Sequence, residues 1–227
     1  MPTALLIHGS FSNPGHMRGW SARLAAAGFD CHVPALRHPA ASLAVYLDKL
    51  RQVAAGLREP PLIVGHSMGG LLAQQLAVTV PCRALVLVAS APPWMVRAQL
   101  RWLPHLLPLM PRILAGRPIV PPPATLRYLA LHDLPEAEQS ALLPTFGPES
   151  GKAYRAMLLG LARLPAMPFA GRVLCLSGDD DRIISRRTSA EIASLYGATH
   201  RRFRRGHWLI AESAADEMVG EIRRWLQ

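Results

Sequence analysis

A short apolar run that passes directly into a glycine-rich turn is the feature that most limits how this chain can fold. Leu62-Ile63-Val64 is typical of a buried strand, Gly65-His66-Ser67-Met68-Gly69-Gly70 follows it, and a helix-like run begins at Met68. A strand that turns at once into a helix requires small residues, because the two backbones approach closely. The glycines meet this requirement, and Ser67 is then expected to project from the carboxyl end of the strand.

Strand-like and helix-like runs alternate along most of the chain, which predicts an α/β fold with a mostly parallel, doubly wound sheet. Ser42 is expected near the N-cap of the second helix. The predicted strands are 4–7, 29–33, 62–64, 84–89, 172–177 and 200–203. The predicted helices are 19–27, 43–57, 68–80, a segment that includes 192–196, and a closing helix that carries Met218, Ile222 and Trp225 on one side.

The pattern changes near Ala91, where prolines become frequent and tryptophans lie among leucines. A stretch of this length without secondary structure would be unusual in a compact domain. We therefore expect residues 91–169 to form a helical lid, or cap, inserted over one end of the sheet. Residues 1–90 and 170–227 would form the core, so that the chain is one domain with an insertion.

The composition excludes several classes of protein. Hydrophobic residues make up 50% of the 227, which excludes a disordered chain. We expect no membrane span, because no apolar run reaches the roughly 18 residues that a span needs. The N-terminal run resembles a strand more than a signal peptide.

The three cysteines match no metal or redox spacing, and reduced thiols fit a cytoplasmic protein. The formal charge is +10, but no nucleic-acid motif accompanies it, so we expect no nucleic-acid partner.

Ser67 is predicted to be an activated nucleophile, and such a serine needs a base and an orienting carboxylate. His207 is the candidate base, because it follows the last predicted strand and a loop at that edge of the sheet can reach Ser67. The carboxylate is expected in the loop after strand 172–177. That loop contains Asp179, Asp180 and Asp181, and physical reasoning alone does not choose among them.

With these motifs in place, the chain resembles the α/β-hydrolase superfamily, and in particular its small esterase- and lipase-like members with a Gly-His-Ser-Met-Gly-Gly elbow. The resemblance covers nearly the whole chain apart from the insertion. It implies the order nucleophile, acid, histidine, which this chain follows. The family pattern Gly-x-x-Asp, matched to Gly178, implies Asp181 as the acid, with Asp180 as the alternative and Asp179 as a turn cap. The lack of the first antiparallel strands of the family implies a trimmed sheet.

The resemblance also assigns a function to His8-Gly9-Ser10-Phe11. In the family, the backbone amides that follow His-Gly and the nucleophile form the oxyanion hole, and here these are the amides of Ser10 and Met68. Each such donor can stabilise a transition state by about 3 kcal/mol. His8 and His66 are interpreted as packing and loop-bonding residues.

Four large side chains are candidates for the substrate pocket: Phe11, Trp94, Met95 and Trp102. The equal alternative is that they only fill the interior of the insertion. An apolar lid over Ser67 would favour an apolar acyl group and exclude water.

The sequence therefore predicts a carboxylesterase-like serine hydrolase that cleaves a small to medium, largely apolar ester through an acyl-enzyme. The small-molecule ester or acyl substrate is its expected partner, and this chemistry requires neither a cofactor nor a metal. A thioesterase, a lactonase or another acyl-transfer enzyme of the same fold is the main alternative. A ligand-binding receptor that retains the triad is less favoured. A third alternative is docking of an acidic carrier domain on Arg201, Arg202, Arg204 and Arg205.

Overall fold

A sheet of six parallel strands forms the centre of the computed structural model, which describes residues 1–96, 102–164 and 169–227. The strand order is β2-β1-β3-β4-β5-β6. The strands are β1 Thr3–Ile7, β2 Asp30–His32, β3 Leu62–His66, β4 Ala84–Val88, β5 Val173–Gly178 and β6 Thr199–Phe203. All six predicted strands are present, which confirms the α/β prediction. Every pairing among these strands is parallel, in agreement with a trimmed sheet.

Among the residues that the structure describes, five helices cover the sheet: α1 Arg18–Ala26, α2 Leu43–Ala55, α3 Met68–Ala77, α9 Arg186–Leu195 and α10 Ala215–Leu226. The predicted N-cap of α2 is confirmed, because the Ser42 side chain accepts a hydrogen bond from the Val45 amide at 3.4 Å. Helix α3 ends three residues before the predicted limit, at Ala77. The hydroxyl of Thr79 there bonds the Leu76 carbonyl at 3.0 Å, and a local bond of this kind competes with helix continuation.

Alternate side chains of each strand face opposite sides of the sheet, as the period of a β-strand requires. On one side, Leu6 and Val64 pack with Trp20 of α1 and Ile222 of α10. On the other side, strand residues such as Ile63 pack against α2, α3 and α9. The sheet is therefore covered by helices on both faces, which confirms the doubly wound prediction.

Between β4 and β5 the described residues form five short α-helices: α4 Leu103–Leu106, α5 Met110–Leu114, α6 Pro123–Leu129, α7 Glu136–Leu142 and α8 Gly151–Leu158. Prolines occupy the first turn of α4, α5 and α6, where proline is tolerated although it cannot continue a helix interior. Residues 97–101 and 165–168 of the predicted insertion lie outside the described residues. In the part of the chain that the structure describes, no helix is long and apolar enough to cross a bilayer.

The strand order brings two loops together at one edge of the sheet. Strand β1 has β2 on one side and β3 on the other, and Ile7 pairs with Gly65. The chain therefore adds β2 on one side of β1 and the later strands on the other side. Such a topological switch point opens a crevice at the carboxyl ends of the strands. The loops that follow β1 and β3 meet in this crevice.

Candidate active site

Ser67 lies in a tight turn between β3 and α3, with φ 54° and ψ −120°. This region of backbone conformation favours glycine, and a serine held there carries strain of about 1–3 kcal/mol. Neighbouring backbone groups hold the turn. The Ser67 amide donates to the Val88 carbonyl at 3.0 Å, and the Ser67 carbonyl accepts from the amides of Gly70 and Ala91, both at 2.9 Å. Strain that is imposed in this way is typical of functional turns.

The glycines of the turn are required by close backbone contacts. A Cβ atom at Gly69 would collide with the carbonyl oxygens of Ile7 and His8, and one at Gly65 would collide with the carbonyl of Gly69. Helix α3 can therefore approach β1 and β3 only because these positions lack side chains. The sequence-based explanation of the glycines is confirmed.

His207 and Asp181 form a buried pair after β6 and β5. Nδ1 of His207 lies 2.9 Å from Oδ2 of Asp181, and the two side chains are 3% and 1% exposed. The other carboxylate oxygen of Asp181 accepts from the amides of Ile183 and Ile184, at 2.7 and 2.8 Å. Because a carboxylate only accepts, Nδ1 carries the hydrogen and Nε2 is left as the basic atom.

The three aspartates of this loop differ in their surroundings. Asp180 is exposed, whereas the carboxylate of Asp179 contacts Arg202 at 2.8 Å and Arg186 at 3.6 Å. The expectation that Asp179 caps the turn is wrong, because Asp181 accepts the turn amides itself. The reason is the strand pairing: β6 lies beside β5 and brings Arg202 next to Asp179. Of the three aspartates, Asp181 is the one that contacts His207, at 2.9 Å.

The loop that carries His207 is held from two sides. The fully buried His66 donates from Nε2 to the His207 carbonyl at 3.1 Å, and its ring packs on Trp208. Burial lowers the pKa of His66 well below its usual value, so its ring is neutral. On the other side, Asp133 accepts from the Gly206 amide at 2.7 Å. His66 thus has the packing and loop-bonding environment that the sequence predicts, whereas Asp133 was not predicted.

Ser10 and Met68, the predicted sources of the oxyanion-hole amides, lie side by side. The Ser10 hydroxyl donates to the sulfur of Met68 at 3.3 Å. Met68 is the first residue of α3, where an amide has no partner within the helix and the helix dipole is positive. His8 connects the loop after β1 to the loop after β2, since its Nε2 accepts a hydrogen bond from the Leu36 amide at 3.2 Å. The Met68 amide is therefore a candidate donor to an anion beside Ser67, and the Ser10 amide remains a prediction.

Ser67 lies where two small, largely apolar cavities meet. One has a volume of about 120 Å³ and the other about 70 Å³. Both are lined by Ser10, Ser67, Tyr154 and Ile183. The larger cavity is also lined by Met68, Leu71, Trp102, Met157, Leu158 and Ile184, and the smaller one by Phe11, His66, Leu126, Phe146, His207 and Trp208.

The structure brings two of the four predicted pocket residues to these cavities, Trp102 to the larger and Phe11 to the smaller. Trp94 is 54% exposed with its ring near Arg163, and Met95 packs against the core on the side of α3. The pocket prediction is therefore wrong for Trp94 and Met95. The Ala91 amide donates a hydrogen bond to the Ser67 carbonyl, and Ala91 and Pro92 line the larger cavity. The chain leaves the cavity after Pro92.

Helix α8 supplies cavity residues that the sequence analysis did not identify. Tyr154, Met157 and Leu158 recur at spacings of three and four, which places them on one face of the helix. This periodicity is a usable signal in the sequence. The sequence predicts helices in this insertion, but it does not predict which helical face turns toward Ser67.

Three further features bear on other chemistry in the described residues: metal-ligand clusters, reactive thiols and the cluster of arginines near β6. Among the described residues, no group of three or more His, Cys, Asp or Glu side chains could hold a metal ion. Burial raises the pKa of the Cys175 thiol to about 12, which keeps it unreactive.

Three of the four clustered arginines form ion pairs within the chain: Arg201 with Glu221, Arg202 with Asp179 and Arg205 with Glu217. These pairs weaken the case for docking of an acidic carrier.

The parallel sheet, the strained serine after β3 and the buried acid–histidine pair after β5 and β6 define the class of this protein as an α/β hydrolase. The model of the alpha/beta hydrolase family matches residues 4–221, so the chain belongs to this family.

Among curated proteins, the chain is similar to the magnesium-chelatase 30 kDa subunit of Rhodobacter capsulatus, with 32% identity over 184 residues. The match covers 74% of this chain and 63% of that protein, so the chain spans less than two thirds of this relative.

Solved structures share the fold at low identity. The methylesterase MES16 from Arabidopsis has a TM-score of 0.78 at 14% identity and covers 100% of this chain and 99% of its own. The monoacylglycerol lipase of Paleococcus ferrophilus has a TM-score of 0.77 at 19% identity, covering 99% and 93%. The thioesterase domain from the curacin biosynthetic pathway has a TM-score of 0.71 at 21% identity, covering 98% and 91%. At these identities the likeness establishes the fold alone.

Proposed function

We propose that this protein is a serine hydrolase that cleaves a small, largely apolar carboxylic ester through an acyl-enzyme. The observation that carries the proposal is the buried 2.9 Å contact between Asp181 and His207, beside the cavity that both His207 and the strained Ser67 line. A carboxylate buried in this way is costly unless a specific partner compensates it. The imidazolium that forms during ester cleavage is such a partner.

The chemistry follows the geometry. The Ser67 oxygen attacks the carbonyl carbon while Nε2 of His207 takes the hydroxyl proton, and Asp181 stabilises the imidazolium. The amides of Ser10 and Met68 donate to the oxyanion. As the tetrahedral intermediate collapses, His207 returns the proton to the leaving alkoxide. Water, activated by the same histidine, then adds to the acyl-enzyme and releases the acid and Ser67.

The two cavities divide the ester between them. His207 must protonate the leaving oxygen, and His207 lines the smaller cavity, so we assign the alcohol part to that cavity. The acyl part is assigned to the larger cavity, on the side of Met157. A dry cavity of about 150 Å³ holds a benzene molecule. The 120 Å³ cavity therefore suits an acyl group of about six carbon atoms or fewer.

We further propose that residues 91–169 serve as a lid. Side chains of α8 in this segment line the same cavity as Ser67. A lid of apolar side chains keeps water from the oxyanion and strengthens the electrostatic interactions inside the site.

The decisive experiment is hydrolysis of p-nitrophenyl esters of graded acyl length, with Ser67→Ala as the control. We expect turnover with a preference for short acyl groups, and loss of turnover in Ser67→Ala. A fluorophosphonate should label the wild-type protein and not this variant. Labelling that persists in Ser67→Ala would contradict the assignment of the nucleophile.

A panel of oxygen esters, thioesters, lactones and amides with one common acyl group separates ester cleavage from the other reactions that the same residues could perform. We expect the oxygen ester to have the highest kcat/KM. A faster thioester would move the proposal to a thioesterase. Saturable binding of these compounds without turnover would instead support a receptor.

A further inference from the structure

We propose that Glu149 is a positioning residue for the oxyanion hole, which holds the Phe11 amide and thereby orients the neighbouring Ser10 amide. This inference rests on the proposed function, because the Ser10 amide matters for catalysis only if an ester is attacked at Ser67. Glu149 belongs to the segment between β4 and β5, far in sequence from the loop after β1.

Glu149 is a carboxyl group at 0% exposure with three hydrogen-bond donors around it. One oxygen lies 2.6 Å from the Tyr46 hydroxyl of α2 and accepts from the Ser150 amide at 2.7 Å. The other oxygen accepts from the Phe11 amide at 3.4 Å. A carboxyl group without exposure needs such partners, and here they come from three separate parts of the fold.

Phe11 is held on both of its backbone groups by the segment that contains Glu149. Its amide donates to the Glu149 side chain, and its carbonyl accepts from the Gly147 amide at 3.0 Å. Its φ of 61° lies in the left-handed region, which a phenylalanine adopts only when its surroundings impose it. These two hydrogen bonds help to impose this conformation, together with a longer contact of 3.5 Å from the Arg37 guanidinium to the Phe11 carbonyl.

The Glu149 backbone is itself fixed. It exchanges two hydrogen bonds with Ile119, both of 2.9 Å, in an antiparallel bridge. The side chain thus connects a rigid part of the insertion to Tyr46 in the core and to the loop after β1. Because the peptide group between Ser10 and Phe11 is planar, fixing the Phe11 amide also fixes the Ser10 carbonyl and Cα. Only the φ and ψ angles of Ser10 then remain to orient its amide, the proposed oxyanion donor.

The effect of Glu149 on catalysis is geometric. Burial raises the pKa of its carboxyl, while the hydrogen bonds from Tyr46, Ser150 and Phe11 and the charge of Arg37 act in the opposite direction. A negative charge near the oxyanion would oppose the reaction. Glu149 therefore assists catalysis through the oxygen that accepts the hydrogen bond of the Phe11 amide, and not through its charge. A glutamine has one acceptor oxygen in place of two, so its NH2 group must face either the Phe11 amide or the Ser150 amide, and an alanine has no acceptor at all.

The test compares Glu149→Ala, Glu149→Gln and Tyr46→Phe, with active sites titrated by a fluorophosphonate so that kcat refers to folded sites. Tyr196→Phe is the matched control, since it also removes a tyrosine hydroxyl that donates a hydrogen bond, to Gln74 at 3.0 Å. We expect Glu149→Ala to lower kcat per site by about tenfold or more with KM within about twofold. Glu149→Gln and Tyr46→Phe should both fall between wild type and Glu149→Ala, and Tyr196→Phe should retain kcat.

Two results would overturn the proposal. Glu149→Ala could lower only the number of titratable sites and leave kcat per site unchanged, which is the signature of a purely structural residue. Glu149→Ala could also raise KM by about tenfold at unchanged kcat, which would assign Glu149 to substrate binding and not to the oxyanion hole.

A measurement that does not depend on activity separates this inference from the proposed function. Hydrogen exchange at the Phe11 amide, followed in Ser67→Ala with and without Glu149→Ala, should accelerate when Glu149 is removed. An unchanged exchange rate would overturn the assignment of Glu149. A wild-type protein that turns over no ester would contradict the proposed function instead.

Discussion

His207 contacts Asp181 through a single carboxylate oxygen, at 2.9 Å, and the second oxygen is bound by the amides of Ile183 and Ile184. The backbone therefore orients the carboxylate independently of the histidine. An acid that is preorganised in this way can stabilise the imidazolium without rearranging during the reaction. Asp180, one residue earlier, is exposed and provides a natural comparison.

Asp181→Asn should lower kcat by about 1,000-fold or more, because the amide favours the wrong tautomer of His207. Asn keeps an oxygen for the turn amides, so the loop itself should persist. Asp180→Asn should remain within about twofold of wild type. Steady-state kinetics on one ester, with thermal unfolding as a check of folding, measures both. Equal losses in the two variants would contradict the choice of Asp181.

Met157→Ala should shift the preferred acyl group toward longer chains, because it removes a side chain that lines only the larger of the two cavities around Ser67. Leu126→Ala should leave the acyl preference unchanged and relax the preference for the alcohol part, since Leu126 lines only the smaller cavity. Profiles of kcat/KM against acyl length and alcohol length separate the two effects. The reverse pattern would show that the cavities are assigned the wrong way round.

Gly69→Ala should destabilise the protein by about 2 kcal/mol or more, because the new Cβ would collide with the backbone carbonyls of Ile7 and His8, which cannot move independently. Gly56→Ala is the control. Gly56 has φ −84° and a Cβ there would lie 3.5 Å from its nearest neighbour, so we expect a change of under about 1 kcal/mol. Urea denaturation gives both free energies of unfolding. A small effect at Gly69 would mean that α3 can move away from β1.

The free energy of unfolding should fall as the pH decreases from 6.5 toward 4. Burial lowers the pKa of His16 from 6.5 to about 4, and the positive charges of His8 and Arg37 add to the effect. Between these values the unfolded chain binds a proton that the folded protein does not, so stability present above pH 6.5 is lost as the pH falls. For His16 the loss between pH 7 and 5 is about 2 kcal/mol.

The test of this pH dependence is urea denaturation of His16→Gln at pH 7 and pH 5. The variant should lose less stability between the two pH values than the wild type does. Gly56→Ala, which changes no titratable group, should retain the wild-type dependence. Identical slopes for wild type and His16→Gln would assign the effect to other groups.

Local patterns accounted for much of the fold. An apolar run bounded by prolines or glycines predicts a strand because burial of apolar side chains drives its formation. The periodicity of the second helix and the cap at Ser42 were correct for the same kind of reason. The glycines around Ser67 also have a local cause, which is the closeness of a strand and the helix that follows it.

Cavity-lining residues were predicted less well, because their positions depend on how the insertion packs. Trp94 and Met95 follow β4 closely in sequence and yet lie away from Ser67, whereas Tyr154 of α8 lines both cavities. Proximity in the chain is a poor guide to such contacts. They are set by the direction in which the backbone leaves the sheet.

The sequence by itself determined the class of fold, the strained position expected for Ser67 and the place of His207 after the last strand. Each of these follows from patterns within a few residues, where sterics and hydrophobicity act locally. Only the tertiary structure decided that Asp181 faces His207 while Asp179 meets Arg202, and that Glu149 reaches Phe11. These contacts depend on strand register and on the packing of distant segments, and the packing energy that selects them is a property of the whole fold.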